Sequence, residues 1–386
     1  MIEESATRRR KKLLFVVEAM GGGVFTYIVN LTNRLVEDYE LYLAYAVRPQ
    51  TPENYKTYFD PRIHMIEVKD FVRPIRLQKD FKAFLELLDI ANKVNPDIIH
   101  LHSSKAGILG RLAYWNRKVP MFYTPHGYSF LMQQASATKR LLYRALETLM
   151  ARVRCTTISC SLGEYQETLK LTRHARLVNN GIDVKEIRAY LERCPAATDG
   201  ENAEHPFTVF TLGRICPQKN PSLFNRIAYA MPEVRFVWIG DGEQRALLDA
   251  PNIQVTGWTD RETALGLANR ADCFLLVSLW EGLPISLLEA MYLRKPCIVS
   301  DVIGNHDVIQ NGQNGFVCQT VDDYVAALRS AQQSDIVRPI CAKAYQEILD
   351  EYNVETMAQR YEAIYEGLSN EAELVASPQM AVGGVQ

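Results

Sequence analysis

Two glutamates, Glu281 and Glu289, stand eight positions apart in the chain. Between them, Gly282, Leu283 and Pro284 predict a tight loop that leads into a helix, since proline suits the first helical turn. Such a helix end presents free backbone N–H groups between two carboxylates. A nucleotide sugar matches that arrangement, with phosphates for the helix end and sugar and ribose hydroxyls for the carboxylates.

The predicted position of this loop also favours a binding site. The apolar run 273–278 before it predicts a buried strand, and open α/β sheets bind ligands at the carboxyl ends of their strands. The alternative for Glu289 is an exposed helix carboxylate paired with a cation four positions away. Ile285 and Leu293 occupy those positions, so we interpret Glu289 as a site residue.

Two cations, Arg214 and Lys219, follow another predicted strand, 207–212, and the glycine that turns the chain there, Gly213. They lie five positions apart in one loop, so both can converge on one phosphate group. Positive charge at that point would stabilise a departing diphosphate. Two solvated surface cations are the alternative.

Two glycine-rich turns also follow predicted strands. The first contains Gly22 and Gly23, and the second is Gly240, Asp241 and Gly242. Glycine lets the backbone approach a bound group closely, and a helix end that follows it favours anions. The first turn is neither a dinucleotide fingerprint nor a P-loop, and a tight connection without a ligand is its alternative.

His126 lies in the loop 124–128, directly after a predicted strand. A histidine there can hydrogen-bond a substrate hydroxyl or polarise a reacting group. A capping or core histidine is the alternative.

Apolar runs alternate with helical periodicity along the chain, which predicts an α/β fold with parallel sheets. We expect two Rossmann-like, doubly wound domains that face each other across a cleft. The first covers 1–185 and the second 186–352, with a polar linker inside 185–206. An amphipathic helix near 353–368 and a tail at 369–386 that we expect to be disordered complete the chain.

Composition limits the class of protein. With 47% apolar and 23% charged residues the chain is typical of a globular protein, and no apolar run approaches the ~18 residues of a membrane span. No signal peptide opens the sequence. Eight cysteines are scattered without a C-x-x-C pair, which predicts reduced thiols, a cytoplasmic setting and no metal site.

The net charge of −2 conceals an uneven distribution. Residues 101–180 carry 12 basic against 3 acidic residues, a balance of +9. Within this window, 139–152 predicts a helix with basic and apolar faces, which would dock on an anionic membrane surface. A solvated surface is the alternative, and no nucleic-acid-binding motif accompanies the basic residues.

Together these residues resemble the family 4 retaining glycosyltransferases, which have the GT-B fold. The segment 281–291 is similar to the E-x7-E signature of that family, although Pro284 stands where many members have a small or aromatic residue. Other family elements follow in order along nearly the whole chain, at 21–23, 124–127, 180–183, 213–219, 240–242, Pro296, Gly304 and 311–316.

The resemblance implies a role for each candidate. Arg214 and Lys219 would hold the donor diphosphate, Glu289 the ribose hydroxyls and Glu281 the hydroxyls of the transferred sugar. His126 would reach the donor sugar from the acceptor domain. The helix near 353–368 would pack back on the first domain. The donor-binding set is completed by Gly22, Gly23, Gly213, Gly240, Asp241, Gly242, Gly282, Leu283, Pro284 and Ile285.

The implied reaction moves a hexose or N-acetylhexosamine from a nucleotide-diphosphate sugar, expected to be UDP-linked, to a glycan or lipid-linked oligosaccharide. The product would belong to exopolysaccharide, capsule or lipopolysaccharide, made at the inner face of the plasma membrane. No cofactor or metal is expected, since cations and a helix end would meet the charge of the leaving group. A GT-B nucleotide-sugar epimerase and a non-catalytic sugar- or membrane-binding subunit remain alternatives.

Overall fold

The computed structural model describes residues 9–18, 20–48, 50–72, 75–193 and 206–368. The predicted tail and most of the predicted linker lie outside these residues. The described parts contain two parallel β-sheets, each covered by helices on both faces. The expected architecture of two doubly wound α/β domains is confirmed.

The first sheet has seven strands in the order β3-β2-β1-β4-β5-β6-β7. The strand order reverses between β1 and β4, and a crevice forms at such a point, at the carboxyl ends of the strands. The strands are β1 Lys12–Val17, β2 Glu40–Tyr45, β3 His64–Glu67, β4 Ile98–His102, β5 Met121–Thr124, β6 Thr156–Ser159 and β7 Ala175–Leu177. The helices are α1 Gly22–Leu35, α2 Leu77–Val94, α3 Ser104–Tyr114, α4 Ala137–Met150, α5 Leu162–Leu169 and α6 Val184–Arg193.

The second sheet has six strands in the order β10-β9-β8-β11-β12-β13, with its reversal between β8 and β11. Its central strands are continuous apolar runs because helices cover both faces. The strands are β8 Thr208–Leu212, β9 Arg235–Ile239, β10 Ile253–Val255, β11 Cys273–Leu276, β12 Cys297–Ser300 and β13 Phe316–Cys318. The helices are α7 Pro221–Ala230, α8 Arg261–Arg270, α9 Ile285–Tyr292, α10 Val321–Ala331, α11 Ser334–Asp350 and α12 Val354–Tyr365.

The start of α9 differs from the sequence-based expectation. The helix begins at Ile285, and Pro284 is its N-cap residue in an extended conformation. The carbonyl of Pro284 accepts from the N–H of Leu287 at 3.2 Å, so proline caps the helix instead of opening its first turn. The free N–H groups of the helix end are therefore those that follow the proline.

The chain passes between the two cores twice, at one place. Val178 packs in the first core and Ile182 in the second, while Tyr352 packs in the second and Val354 in the first. The two crossings are hydrogen-bonded side by side. Ile182 N–H donates to the Tyr352 carbonyl, and Val354 N–H donates to the Ile182 carbonyl, each at 3.0 Å.

After the second crossing, α12 packs against α1 on the first sheet. The hydroxyl of Tyr27 donates to that of Tyr361 at 2.6 Å, and the hydroxyl of Tyr365 lies 2.6 Å from Nδ1 of His100. The last described helix therefore belongs to the first core. Within the described residues, no helix is long and apolar enough to span a bilayer.

A buried ion pair ties α3 to α4. Arg111 Nη2 donates to Oε2 of Glu147 at 2.8 Å, and Tyr123 OH donates to Oε1 of the same carboxylate at 2.9 Å. Arg111 and Glu147 are 1% and 4% exposed, so one cation of the basic 101–180 window is internal and adds no surface charge.

We predict that Glu147→Gln lowers the free energy of unfolding by about 3 kcal/mol, because it leaves the Arg111 charge buried without a partner. Urea unfolding followed by circular dichroism measures the change. Glu37→Gln removes an exposed partner of Arg62 and serves as the control, with little change expected. Equal stability of Glu147→Gln and wild type would contradict the structural role of the pair.

Candidate functional site

The predicted site residues lie in loops at the carboxyl ends of strands. In the first sheet, Gly22 and Gly23 follow β1, and His126 follows β5. In the second sheet, the loops after β8, β9 and β11 carry the other candidates. Parallel strands end at the same edge of a sheet, so each group of loops is brought together.

The loop after β11 packs against the first domain at backbone distance. A Cβ atom on Gly282 would lie 2.9 Å from the nitrogen of Gly127, so the approach requires glycine. Beside this contact, Asn180 Nδ2 donates to the carbonyl of Leu283 at 2.8 Å. The first and second domains therefore meet where the site residues of both lie.

The first glycine turn faces the start of α9. Gly22 and Gly23 are exposed, and a Cβ atom on Gly23 would lie 4.0 Å from Cγ1 of Ile285. Among the described residues, none accepts a hydrogen bond from the N–H of Leu283 or of Ile285. An anion bound here would meet unpaired N–H groups and the positive end of α9.

Glu281 is buried, with 7% of its surface exposed, and both of its carboxylate oxygens are occupied. Lys219 Nζ donates to Oε1 at 2.7 Å, and Gln218 Nε2 donates to Oε2 at 3.1 Å. Both donors come from the short turn that follows β8. The structure thus brings Glu281 and Lys219 together as one ion pair at the junction of the two domains.

Arg214 lies apart from this pair. Its Nε is 3.9 Å from Oε2 of Glu243, and its side chain is 26% exposed. Arg214 and Lys219 were expected to converge on one phosphate group. In this structure each cation instead faces a carboxylate of its own, so a bound diphosphate would have to draw Arg214 from Glu243.

The two glycines after β9 are required because that turn packs closely on the turn after β8. A Cβ atom on Gly240 would lie 2.3 Å from the carbonyl oxygen of Gly213, and one on Gly242 would lie 2.2 Å from that of Ile215. Asp241 between them accepts from Nη1 of Arg245 at 2.9 Å. These turns have a structural reason for their glycines, independent of any bound nucleotide.

Glu289 is 3% exposed and is paired with a cation that the sequence did not predict. This cation is Arg261, the first residue of α8. Its Nη1 donates to Oε1 of Glu289 at 2.5 Å, and its Nε donates to Glu186 at 3.1 Å. No cation shares the face of α9 that carries Glu289, as the sequence indicates. Arg261 instead reaches Glu289 from another helix, α8. The expectation that apolar residues alone surround Glu289 is therefore corrected.

A local signal for Arg261 was present in the sequence. Asp260 caps α8 with its side chain, which places Arg261 in the first turn. A cation there faces the positive end of the helix dipole and is unfavourable unless a specific acid partner compensates. An arginine directly after a strong N-cap residue could therefore have indicated a buried partner.

His126 is held by a second histidine that the sequence did not predict. Its Nε2 lies 3.1 Å from Nδ1 of His102, and its ring packs edge-on to that of Tyr27 at 4.6 Å. Burial lowers the pKa of His126 to about 3, so the ring is neutral at pH 7. A neutral imidazole in the cleft can donate or accept a hydrogen bond but carries no charge.

His102 and His100 are fully buried on β4, and burial lowers the pKa of each well below its ordinary value. The alternation His-Leu-His on a strand places both rings on one face, a signal that could have been used. His100 is held by Tyr365 and by Thr124, whose Oγ1 lies 2.9 Å from Nε2. The neutral rings of His100 and His102 therefore form a row that ends at His126.

Glu164 is a further buried residue that supports the loop. It accepts from the N–H of Gly127 at 2.6 Å and from the N–H of Cys160 at 2.8 Å. Burial raises the pKa of Glu164, although its backbone donors oppose that shift. The pattern Ser161-x-x-Glu164 at the start of α5 resembles a capping box, but the carboxylate reaches the neighbouring loop.

No group of three His, Cys, Asp or Glu side chains that could hold a metal ion occurs among the described residues. Every described cysteine is a free, buried thiol.

Two family models match consecutive parts of the chain. The model described as Glycosyltransferase Family 4 matches residues 21–186, and the model described as Glycosyl transferases group 1 matches residues 206–334. The first covers the glycine turn and the histidine loop. The second covers the loops of Arg214, Lys219 and both glutamates.

Relatives of similar length occur among bacterial proteins. A UDP-Gal:alpha-D-GlcNAc-diphosphoundecaprenol alpha-1,3-galactosyltransferase of Escherichia coli is 29% identical over 343 residues, with 80% of this chain and 85% of the relative covered. The O-antigen biosynthesis glycosyltransferase WbnH of Escherichia coli is 24% identical over 316 residues, which cover 78% and 84% of the two chains.

Solved structures share the fold. HepE of Anabaena, in complex with UDP and glucose, superposes with a TM-score of 0.72 at 17% identity, covering 93% of this chain and 100% of that one. Sucrose-phosphate synthase of Thermosynechococcus elongatus superposes with a TM-score of 0.75 at 17% identity, covering 93% and 99%.

The two sheets have the GT-B fold of these solved structures, and both halves of the chain match glycosyltransferase models, so the protein is a glycosyltransferase of the GT-B class. With both halves of the chain matched in order, the protein belongs to the family 4 glycosyltransferases.

The row of neutral histidines predicts that stability decreases as the pH falls from 7 to 5. In this window the unfolded chain binds protons that the folded chain excludes, so each fully buried ring contributes up to about 1.4 kcal/mol per pH unit below pH 6.5. In His102→Asn, one such ring is absent, and we expect a shallower dependence of unfolding free energy on pH. Urea unfolding at pH 7, 6 and 5 measures it.

His64→Asn, which changes an exposed ring on β3, is the matched control and should retain the wild-type dependence. A wild-type slope in His102→Asn would contradict a neutral, buried His102.

Proposed function

We propose that this glycosyltransferase moves a hexose or N-acetylhexosamine from a UDP-sugar to a lipid-linked glycan, with retention at the anomeric carbon. The carrying observation is the Glu281–Lys219 pair, buried where Gly282 meets Gly127. A sugar diphosphate placed there would have Lys219 beside its phosphates and Glu281 beside the transferred sugar. Glu289 would accept from the ribose hydroxyls.

The relatives support the choice of donor and acceptor. The name of the Escherichia coli galactosyltransferase specifies UDP-Gal and an acceptor linked to diphosphoundecaprenol, and that of WbnH specifies O-antigen biosynthesis. A lipid-linked acceptor places the reaction at a membrane surface. We therefore propose a role in cell-surface polysaccharide assembly at the inner face of the plasma membrane.

The proposed step breaks the bond between the anomeric carbon and the β-phosphate oxygen, and the acceptor oxygen bonds to the same face of that carbon. The acceptor proton passes to the departing phosphate oxygen, which balances the reaction without a side-chain base. Negative charge grows on the diphosphate as the bond breaks. This charge on the diphosphate would be stabilised by Lys219, Arg214 and the start of α9. Stabilising a charge that develops in the transition state lowers the barrier of the reaction.

Glu281 is suited to binding and poorly suited to covalent attack. Each of its oxygens already accepts a hydrogen bond, one of them from a cation, which reduces its nucleophilicity. We assign no side-chain nucleophile. The positive charge that the leaving group requires comes from the chain itself, so the proposal includes no metal or cofactor.

We predict that Lys219→Met lowers the rate of sugar transfer about 10²–10³-fold, because a cation that faces the leaving group is lost. Glu281→Gln should also reduce the rate, while Glu192→Gln, at an exposed carboxylate of α6, should not. The assay measures UDP release from UDP-sugars with a bacterial lipid extract as acceptor.

Release of UDP that needs no acceptor would favour an epimerase-type reaction. Wild-type rates in Lys219→Met and Glu281→Gln would contradict the assigned site.

The surface of α4 supports peripheral membrane docking. Leu141, Leu142 and Leu149 are 69%, 54% and 51% exposed, and basic residues accompany them on the same helix, including Arg144. Exposed apolar side chains enter the interface while cations meet anionic headgroups. Leu112 on the neighbouring α3 is also exposed, as are Trp115 directly after α3 and Leu77, Phe81 and Leu85 on α2, which packs against α3.

We predict that the protein floats with liposomes that contain anionic lipid and less so with neutral ones. The double variant Leu141→Ser/Leu142→Ser should lose most of this binding. Leu349→Ser, at an exposed leucine of α11, is the control. Equal recovery with anionic and neutral liposomes, or full binding by the double variant, would contradict the docking surface.

A further inference from the structure

Arg261 is a partly buried cation at the start of α8, and it joins α6, α8 and α9. Its Nη1 donates to Oε1 of Glu289 at 2.5 Å, and its Nε donates to Oε2 of Glu186 at 3.1 Å. The side chain of Arg261 is 16% exposed and that of Glu289 only 4%. A planar guanidinium that donates hydrogen bonds to two acids is held in one orientation, and it fixes the positions of both carboxylates.

The position of Arg261 is unfavourable for a cation, and the acids that compensate for this lie outside α8. Arg261 stands at the positive end of α8, and burial lowers its pKa. The carboxylates of Glu289 and Glu186 outweigh the burial, so the net shift of the Arg261 pKa is upward. The ion pair with Glu289 therefore offsets the cost of placing the guanidinium charge at this point.

In this pair, each side chain keeps one polar atom that can bind a ligand. Among the described residues, none donates a hydrogen bond to Oε2 of Glu289. Nη2 of Arg261 is buried and has no acceptor there either. Unsatisfied buried donors are rare because each costs about 1–3 kcal/mol, so a missing partner requires an explanation.

We propose that Arg261 is the positioning residue of the nucleoside subsite: it holds one carboxylate oxygen of Glu289 so that the other is directed to the ribose hydroxyls. The proposal rests on the donor site proposed above. Arg261 supplies a neutralising charge beside Glu289, so that the acid does not repel the donor diphosphate. It holds Oε1, and Oε2 remains for the ribose.

Ribose recognition can be measured without the transfer reaction. A hydrogen bond to a charged acceptor is worth about 1.5–3 kcal/mol, so wild type should bind UDP about 10–150-fold more tightly than 2′-deoxy-UDP. Isothermal titration calorimetry gives both affinities. We expect Glu289→Gln and Arg261→Gln to reduce this ratio to within about threefold of unity.

Glu186→Gln is the matched control, because it removes the other acid of the network and leaves the Arg261–Glu289 bond. It should keep at least half of the wild-type ratio. Circular dichroism establishes that each variant is folded. Arg261→Lys keeps the charge but cannot reach both acids, and it should lower the ratio at least threefold, which decides the matter if Arg261→Gln does not fold.

A wild-type preference for UDP that Arg261→Gln or Arg261→Lys fully retains would overturn the role of Arg261 alone. Equal wild-type affinity for UDP and 2′-deoxy-UDP would overturn the ribose assignment of Glu289, and the proposal for Arg261 with it. Loss of transfer with the UDP preference intact would instead count against the proposed reaction and leave the nucleoside subsite supported.

Discussion

The site is organised by the need to pair two buried carboxylates. Removing a charge from water costs several kcal/mol unless a partner is fixed beside it. Glu281 is matched by Lys219 from the loop after β8, and Glu289 by Arg261 from the start of α8. Because β8 and β11 are neighbours in the sheet, the loops that carry Lys219 and Glu281 lie side by side, whereas Arg261 reaches Glu289 from α8, which follows β10. Each of the two buried glutamates is therefore paired with a cation from a different segment of the chain.

The first domain completes the site through backbone contact. Gly282 approaches Gly127 so closely that a Cβ atom on Gly282 would clash with it, and Glu164 accepts a hydrogen bond from the N–H of Gly127. His126 stands on the neutral rings of His102 and His100, which α12 covers with Tyr365. The helix that returns from the second domain therefore helps to hold His126 in place.

Periodicity predicted the strands and helices well, because apolar runs and amphipathic patterns are local properties of the chain. Both sheets and the return of α12 appear in the structure, with bounds shifted by a few residues. Among the site residues, Glu281 and Lys219 form an ion pair that the sequence did not predict. The partners of Glu289 and His126 could not be predicted from the residues next to them in the sequence. Arg261 lies 28 positions from Glu289, and His102 lies 24 from His126.

The central claim is that a UDP-sugar binds where the two domains meet, with its diphosphate at Lys219 and its ribose at Glu289. A crystal structure of the protein with UDP tests it most directly. The account predicts a phosphate oxygen within hydrogen-bond distance of Lys219 Nζ and a ribose hydroxyl that donates to Glu289 Oε2. UDP bound elsewhere, or with its ribose away from Glu289, would contradict it.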